Sequence, residues 1–243
     1  EYQKVWGKLY SDGFSASLSI MSGSETSPPI TQLKIRLLGI SPMVWRRVLV
    51  PTSISLRQLH GIIQVAMGWD GVHLFEFGIR AVRYGSFELH GACTDVVLES
   101  FGFRQGGKFR YVYDLGAWWE HEIRLEGFHD AVQGKSYPVC IGGSGVCPPE
   151  DCGGPDGYMQ HRDDATGYEA MMDLDTMVEF TRGLLNNPDR RINADEDAFW
   201  DFEQAVHRSQ AHAEFLETKF SRRIVNQAFR QNAHGRLMHQ QIM

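Results

Sequence analysis

The chain has 243 residues, of which 42% are hydrophobic and 12% aromatic, and its formal net charge is -6 at pH 7. Such a chain can bury a substantial core, so we expect one large domain or one domain with an appendage. The negative charge argues against a surface that coats nucleic acid. We find neither the roughly 20 apolar residues that a membrane helix requires nor the pattern of a signal peptide, and we expect a cytoplasmic protein without membrane association.

The first predicted elements are an arm and two strands. Residues 1–30 end in the Ser/Pro-rich stretch MSGSETSPPI, which is typical of a peripheral arm. Apolar and polar residues then alternate over 31–37 and again over 45–50, which predicts two half-buried strands. Arg46 and Arg47 are adjacent on the second strand, so their side chains should point to opposite faces of the sheet.

A helix and a third strand follow. Apolar residues recur at helical spacing over 56–66, with Ser53 or Ser55 available as the N-cap and Gly68 placed to end the helix. The segment HLFEFGI, residues 73–79, alternates again and predicts a strand with an aromatic inner face.

A hairpin with an aromatic loop is predicted farther along the chain. Residues 109–114 and 121–126 alternate on either side of LGAWWE. Asp114 leaves the first of these strands, while Glu120 and His121 enter the second, so we expect the three side chains to lie close together. These residues are the catalytic candidates, because a carboxylate beside an imidazole can support proton transfer. The same arrangement can also be a structural hydrogen bond that closes a loop.

The last part of the chain is predicted to be helical and segregates charge. Apolar residues recur every three or four positions over 171–185 and over 198–231. Residues 189–203 hold six acidic residues and two arginines, whereas residues 204–243 hold six Lys or Arg and two Glu. This shift fits a solvated helix face, or a docking helix for an acidic partner, nucleic acid or a second subunit. A protein partner or a second copy would bind through residues 198–231.

A loop rich in glycine and cysteine is the most unusual feature of the sequence. Residues 137–154 read YPVCIGGSGVCPPEDCGG and hold three of the four cysteines. This composition is poor in helix and strand formers, so we expect an irregular loop that cannot build a core. A rigid loop of thiols could bind zinc, although the spacing differs from paired C-x2-C motifs. Alternatively, Cys140 and Cys147 are small buried hydrophobes and Glu150 caps backbone amides exposed by the turn. The candidate metal ligands are His73, His121, Cys140, Cys147, Cys152, Glu150 and Asp151.

Four segments together resemble the plasmid pRi ORF-three-like family. They are residues 42–51, 59–77, 111–123 and 140–158, and the similarity covers roughly residues 31–200. The resemblance implies an α+β fold with a curved, largely antiparallel sheet and packed helices. It also implies an association with plasmids and mobile elements, for which a transposon-resolvase-like label is sometimes used, and no assigned biochemical activity.

The resemblance divides the chain into a peripheral arm (1–30), an α+β domain (31–200) and a helical C-terminal extension (201–243). One position departs from the pattern of the family, since Ala117 stands where an acidic residue usually follows the glycine of the hairpin motif. A role of that carboxylate as a ligand or a base would be lost in this chain, whereas a role in capping the turn would change little.

Three functions fit these observations. The first is a non-enzymatic accessory or binding domain of a plasmid or mobile element, with a pocket of aromatic and acidic residues. The second is a metal-dependent, zinc-type hydrolase. The third is a DNA-associated protein that binds through its basic C-terminal helix. Phosphate-loop, dinucleotide-binding, serine-hydrolase and H-E-x-x-H motifs are absent from the sequence, which disfavours those classes of enzyme.

Overall fold

The structure, a computed structural model, describes residues 29–186, 196–217 and 219–238. Most of the predicted arm, the start of the acidic segment and the last residues of the C-terminal extension lie outside these ranges. Within the described ranges, no helix has the length and apolar character that crossing a membrane requires. The proposed division at residues 30 and 200 stays a prediction.

The described residues form an open sheet of seven strands in which every paired strand is antiparallel. The strands are β1 (Ile30–Leu37), β2 (Trp45–Pro51), β3 (Phe75–Ile79), β4 (Val82–Gly85), β5 (Lys108–Tyr113), β6 (Trp119–His129) and β7 (Val139–Ser144). Their order across the sheet is β4-β3-β5-β6-β1-β2-β7. Short connections join neighbouring antiparallel strands, as in β1–β2, β3–β4 and β5–β6.

Six helices accompany the sheet within the described residues. They are α1 (Leu56–Met67), α2 (Gly154–Thr166), α3 (Tyr168–Asn186), α4 (Glu196–Glu217), α5 (Arg222–Arg230) and α6 (Ala233–Leu237). The expected α+β class with an antiparallel sheet and helical C-terminal part is therefore confirmed.

Helix α1 forms where the sequence predicts it. The Ser55 side chain accepts a hydrogen bond from the Gln58 amide, and the Gln58 side chain accepts one from the Ser55 amide, which is a capping box. Gly68 ends the helix in the left-handed conformation at φ 91°. Nearly every side chain of α1 is buried, because the sheet lies on one side and α5 and α6 on the other.

The contact between α1 and α6 depends on a glycine. A Cβ atom on Gly61 would lie 2.2 Å from the backbone oxygen of His234. Only glycine lets the two backbones approach this closely without displacing one of them. The C-terminal helices are thus packed on the domain rather than extended from it.

Two expectations about local structure are wrong. The Gly/Cys-rich segment does contribute to the core, because Val139–Ser144 pairs with β2 as an edge strand and Cys140 is buried. Its glycines suit this strand, since a Cβ on Gly143 would lie 2.6 Å from the Phe220 ring. The helical repeat over 198–231 is also interrupted, because α4 ends at Glu217 and Ser221 caps a new helix, α5.

Candidate functional site: a cleft above a buried arginine

Glu150 connects three segments of the chain. Its Oε1 atom accepts hydrogen bonds from the backbone amides of Asp70 (2.9 Å) and Gly71 (3.3 Å) and from the hydroxyl of Tyr113 (2.7 Å). The Tyr113 hydroxyl in turn accepts a bond from the His73 amide at 3.2 Å. Burial and the Glu150 carboxylate both raise the pKa of Tyr113, so the phenol remains protonated and donates. Glu150 therefore caps the backbone that follows α1.

Two tryptophans hold the Cys-rich loop, residues 145–154, against the sheet. Trp69 Nε1 donates to the backbone oxygen of Pro148 at 2.8 Å, and Trp119 Nε1 donates to the backbone oxygen of Glu150 at 3.3 Å. The indole rings lie 5.7 Å apart and both are buried. A Cβ on Gly154 would lie 2.3 Å from the backbone oxygen of Ala117, so the loop also touches the hairpin turn closely. The loop is therefore packed against the hairpin.

The three catalytic candidates do not lie together, contrary to expectation. Asp114 accepts bonds from the amides of Gly116 and Ala117 and closes the turn. Glu120 forms an ion pair with Arg110 at 2.8 Å. His121 is fully buried on the opposite face of the strand. Successive residues of a strand point to opposite faces, and this alternation separates Glu120 from His121.

The environment of His121 also differs from that of a proton carrier. Nδ1 donates to the backbone oxygen of Trp119 at 3.0 Å, and the ring packs edge-on against Trp69 at 5.4 Å. Burial lowers the pKa of His121 to about 3. His121 is thus a neutral core residue at physiological pH.

Of the predicted metal ligands, His73 and Asp151 lie near each other. His73 Nε2 is 3.5 Å from Asp151 Oδ1 and 3.8 Å from Asp114 Oδ2. Asp151 is almost fully exposed, with 89% of its side chain accessible.

Cys140 lies away from this pair, and the thiols of the segment share one electrostatic property. Cys140 is buried under α5, where its backbone exchanges hydrogen bonds with the Asn226 side chain. Burial raises the pKa of the Cys140, Cys147 and Cys152 thiols. Within the described ranges, no three Cys, His, Asp or Glu side chains are grouped as a metal ion would require. Zinc binding by the seven predicted ligands stays a prediction.

Arg46 on β2 is a buried cation. It is 2% exposed, and its neighbour Arg47 points to the other face, where Nη2 pairs with Glu126 at 2.9 Å. The Arg46 side chain donates to three backbone oxygens, those of Ala66, Trp45 and Ser144, at 2.9 Å each. Within the described residues, no hydrogen bond involves its Nη2 atom and no carboxylate pairs with it.

Phe220 and nearby thiols complete the surroundings of Arg46. The Phe220 ring covers the guanidinium, with 4.1 Å from its centroid to the Cζ atom. Burial lowers the pKa of Arg46, and the Cys147 and Cys140 thiols act in the opposite direction. An arginine pKa lies so far above physiological pH that the group keeps its charge despite this lowering.

A cleft of about 1020 Å³ opens above Arg46. One wall consists of the end of α1, residues 65–70, and the Cys-rich loop, residues 146–151. The other wall consists of residues from α4, α5 and α6, including the linker residues 219–221. Ligand pockets commonly have volumes of about 300–1,000 Å³, so this cleft is large enough for a small organic molecule.

Sequence reasoning did not select Arg46 as a site residue. The available signal was its position between Val44 and Val48 on the same face of the strand, and that pattern cannot show whether a carboxylate from elsewhere pairs with it. The second wall of the cleft, from α4 to α6, is far from Arg46 in the sequence, so local periodicity could not place it beside Arg46.

Comparison with known proteins identifies the domain. A family model described as plasmid pRiA4b ORF-3-like protein matches residues 29–186. The chain belongs to this family. An uncharacterised protein of Sinorhizobium fredii, y4hQ, is 42% identical over 137 residues, which span 54% of this chain and 70% of that protein. The resemblance found in the sequence is therefore confirmed.

A solved structure of the same kind supports the fold. MM3350 of Methanosarcina mazei, a protein of unknown function, is 30% identical and superposes with a TM-score of 0.53, over 59% of this chain and 85% of its own. The family match ends at residue 186, so Arg46 and the first wall of the cleft lie inside the family domain and the second wall lies beyond the match.

Proposed function

We propose that this chain is a non-enzymatic binding domain of a plasmid or mobile element, and that its cleft holds a small molecule with one anionic group and an apolar body. The observation that carries the proposal is Arg46, a buried guanidinium with no carboxylate partner among the described residues. A buried charge without a counter-ion is costly, and a ligand carboxylate would offset that cost.

The geometry of the guanidinium fits such a ligand. Three of its five N–H groups already donate to backbone oxygens, which fix its orientation. The Nη2 atom has two further donors, and a carboxylate oxygen can accept from them. Charge-assisted bonds of this kind are about twice as strong as neutral ones.

The walls of the cleft supply apolar surface for the body of the ligand. Val65 and Met67 line the α1 side, and Ile224 and Val225 line the α5 side. Ile224 is 67% exposed, so it can lose water contact when a ligand is bound. Burying apolar area stabilises a complex by about 25 cal/mol per Å², before the entropic cost of association is subtracted.

One side of the cleft disfavours an anionic group. Asp70, Glu150 and Asp151 lie on the side of the Cys-rich loop. Their negative charges would repel a second carboxylate or phosphate placed there. Lys219 and Arg236 line the opposite side, so the cleft fits a ligand with an anionic group on Arg46 and an apolar or weakly cationic end at the Cys-rich loop.

This proposal requires less than the two alternatives. A hydrolase would need the candidate catalytic groups to converge, and Glu120 and His121 lie on opposite faces of their strand. DNA binding through the basic C-terminal helix stays a prediction, as does a protein contact through residues 198–231. Binding to Arg46 should persist after dialysis against a chelator, which separates it from a metal-dependent activity.

The test uses three probes with one skeleton: 4-phenylbutyrate, 4-phenylbutanol and 4-phenylbutylamine. We expect 4-phenylbutyrate to raise the melting temperature of the protein and to give a calorimetric binding signal. The alcohol should bind more weakly by about ten-fold or more, and the amine should not bind, because only the carboxylate pairs with Arg46.

Arg47 provides a matched control for Arg46. The Arg46→Met variant should lose the preference for the carboxylate, whereas Arg47→Met, which removes the adjacent arginine on the opposite face, should keep it. If Arg46→Met does not fold, Arg46→Lys replaces it. This variant retains the charge but lacks the Nη2 donors, so its preference for the carboxylate should be weakened. Equal binding of the three probes to the unaltered protein would refute the proposal, as would an equal loss of preference in both Met variants.

A further inference from the structure

Helix α3 has more exposed large hydrophobic residues than any other helix or strand of the described chain. Six of the fourteen large hydrophobic residues that are exposed in the described part lie on this one helix. Large exposed apolar patches on proteins usually mark an interaction surface. The six residues are Tyr168, Met171, Met172, Leu174, Val178 and Leu185.

The packing of α3 against α4 does not use these residues. Phe180 stacks on Phe202 at 4.5 Å, and Asp173, the only buried residue of α3, is held by Arg208 with Nη2–Oδ1 at 2.6 Å. These contacts fix one face of α3. The exposed apolar residues lie on another face, so the helix has a second apolar surface without a partner among the described residues.

This second surface has the spacing of a coiled-coil seam. Met171, Leu174, Val178, Thr181 and Leu185 are separated by steps of 3, 4, 3 and 4 residues, which is the a/d pattern of a heptad. We call these five residues the α3 seam. It spans about 20 Å at a rise of about 1.5 Å per residue. Its one polar member, Thr181, is small enough to sit in such a contact.

We propose that the α3 seam binds the α3 seam of a second copy of this chain in an antiparallel, two-fold symmetric pair. The charges beside the seam favour this occupant. Asp175 and Arg182 are seven residues apart, so they lie at the same heptad position on one edge of the seam. In an antiparallel pair, equivalent edges meet, and Asp175 of each copy faces Arg182 of the other.

The same arrangement also brings apolar residues of the two copies into contact. With Asp175 opposite Arg182, Leu174 of one copy lies beside Leu185 of the other, and Val178 lies beside Thr181. The two-fold axis repeats each contact, so the short seam yields two Leu174–Leu185 layers, two Val178–Thr181 layers and two ion pairs. A partner helix of uniform charge would instead meet like charge at either Asp175 or Arg182. Two helices of this length bury a small area, so dissociation in the micromolar range is expected.

The first test is the mass of the full chain in solution. Sedimentation velocity from about 1 to about 200 μM should show conversion of monomer to dimer. The Leu174→Glu variant should raise the dissociation constant by about ten-fold or more, because it places a charge in the seam. Val132→Glu is the matched control, since Val132 is 51% exposed in a loop away from α3 and the same change there should leave the dimer intact.

Charge exchange tests the register. Asp175→Arg and Arg182→Asp should each weaken the dimer, because each places like charges across the seam. The double variant should restore it, since both ion pairs form again with reversed sign. Arg182 also pairs with Glu179 in its own chain, but both side chains are more than half exposed, and a contact of that kind contributes little.

Three results would overturn the proposal. A chain that stays monomeric at the highest concentration excludes the pair. A dimer that Leu174→Glu leaves intact has a different interface. A double variant no better than its single variants excludes the antiparallel register, and binding of α3 to a different protein or to another segment of this chain would then explain the exposed seam.

Discussion

Acid should destabilise this protein well above the pH at which its carboxylates are protonated. His60 and His121 are fully buried, and burial lowers the pKa of each to about 3. An unfolded histidine has a pKa of about 6.5, so the unfolded state binds more protons than the native state below that pH. Stability is therefore lost as the pH falls below about 6.5, and the loss grows until about pH 3.

The magnitude follows from the two pKa values. Between pH 7 and pH 5, protonation of one unfolded histidine lowers the free energy of unfolding by about 2 kcal/mol, so the pair accounts for about 4 kcal/mol. Lys108 lowers the pKa of Glu122, and Arg47 lowers that of Glu126. The stability from these two carboxylates is lost only below their unfolded pKa of about 4.3, outside this window.

The local contacts explain why the native state resists protonation. His60 Nδ1 lies 2.7 Å from the Tyr111 hydroxyl, and its ring stacks on Phe75 with centroids 3.8 Å apart. Gln64 donates to the same hydroxyl at 2.8 Å. Within the described residues, the hydrogen-bond partners of the two imidazoles are the Tyr111 hydroxyl and the Trp119 backbone oxygen, not carboxylates, so an imidazolium there would have no counter-charge.

Urea unfolding followed by tryptophan fluorescence measures the effect. The free energy of unfolding should fall by at least about 4 kcal/mol from pH 7 to pH 5, because burial also lowers the pKa of His234. Replacing His60 or His121 by asparagine should remove about 2 kcal/mol of that difference. Asparagine keeps a hydrogen-bonding group near the Nδ1 position. His129→Asn is the control, because His129 is exposed and its replacement should leave the pH dependence unchanged. A loss below about 1 kcal/mol, or an unchanged loss in the double variant His60→Asn/His121→Asn, would refute the reasoning.

Two further predictions concern packing and the loop. Gly61→Ala should destabilise the protein by about 1–3 kcal/mol, because its Cβ would lie 2.2 Å from the backbone oxygen of His234. Gly78→Ala is the control, since its Cβ would meet nothing closer than 3.7 Å. Equal effects of the two substitutions in urea unfolding would contradict the close contact between α1 and α6. Glu150→Ala should cost about 2–3 kcal/mol, because it removes an acceptor shared by two amides and a phenol. The neighbouring Asp151→Ala, with 89% of its side chain exposed, should be nearly neutral, and a larger effect than that of Glu150→Ala would show that the loop is held differently.

Local patterns predicted the elements whose contacts are close in sequence. The capping residues Ser55 and Gly68 determine both ends of α1, and each acts within one helical turn. The β5–β6 hairpin follows equally from alternation on either side of a short turn, with Tyr113 opposite Trp119. The inner face of β3 was also predicted, although the strand begins at Phe75 rather than at His73.

The elements that were missed depend on distant contacts. Strand β7 has two consecutive glycines and would be a poor strand alone, yet it forms by pairing with β2, about 95 residues earlier in the chain. Helix α2 is polar and buries only Gly154, Tyr158 and Ala165, so its apolar periodicity is weak. Neither element has a strong local signal, and tertiary packing decides both.

The Cys-rich loop shows why an unusual composition is an ambiguous indication of a site. Its glycines and prolines do hold a defined shape, and that shape brings Glu150 to the backbone after α1 and brings backbone oxygens to Trp69 and Trp119. The same contacts build one wall of the cleft above Arg46. The other wall, from α4 to α6, lies outside the region that matches the family model, which ends at residue 186. If the cleft binds a ligand, the family domain supplies the charge and the C-terminal helices supply much of the apolar surface. Substitutions in α5 should therefore alter the preference for the ligand body, while its anionic group remains on Arg46.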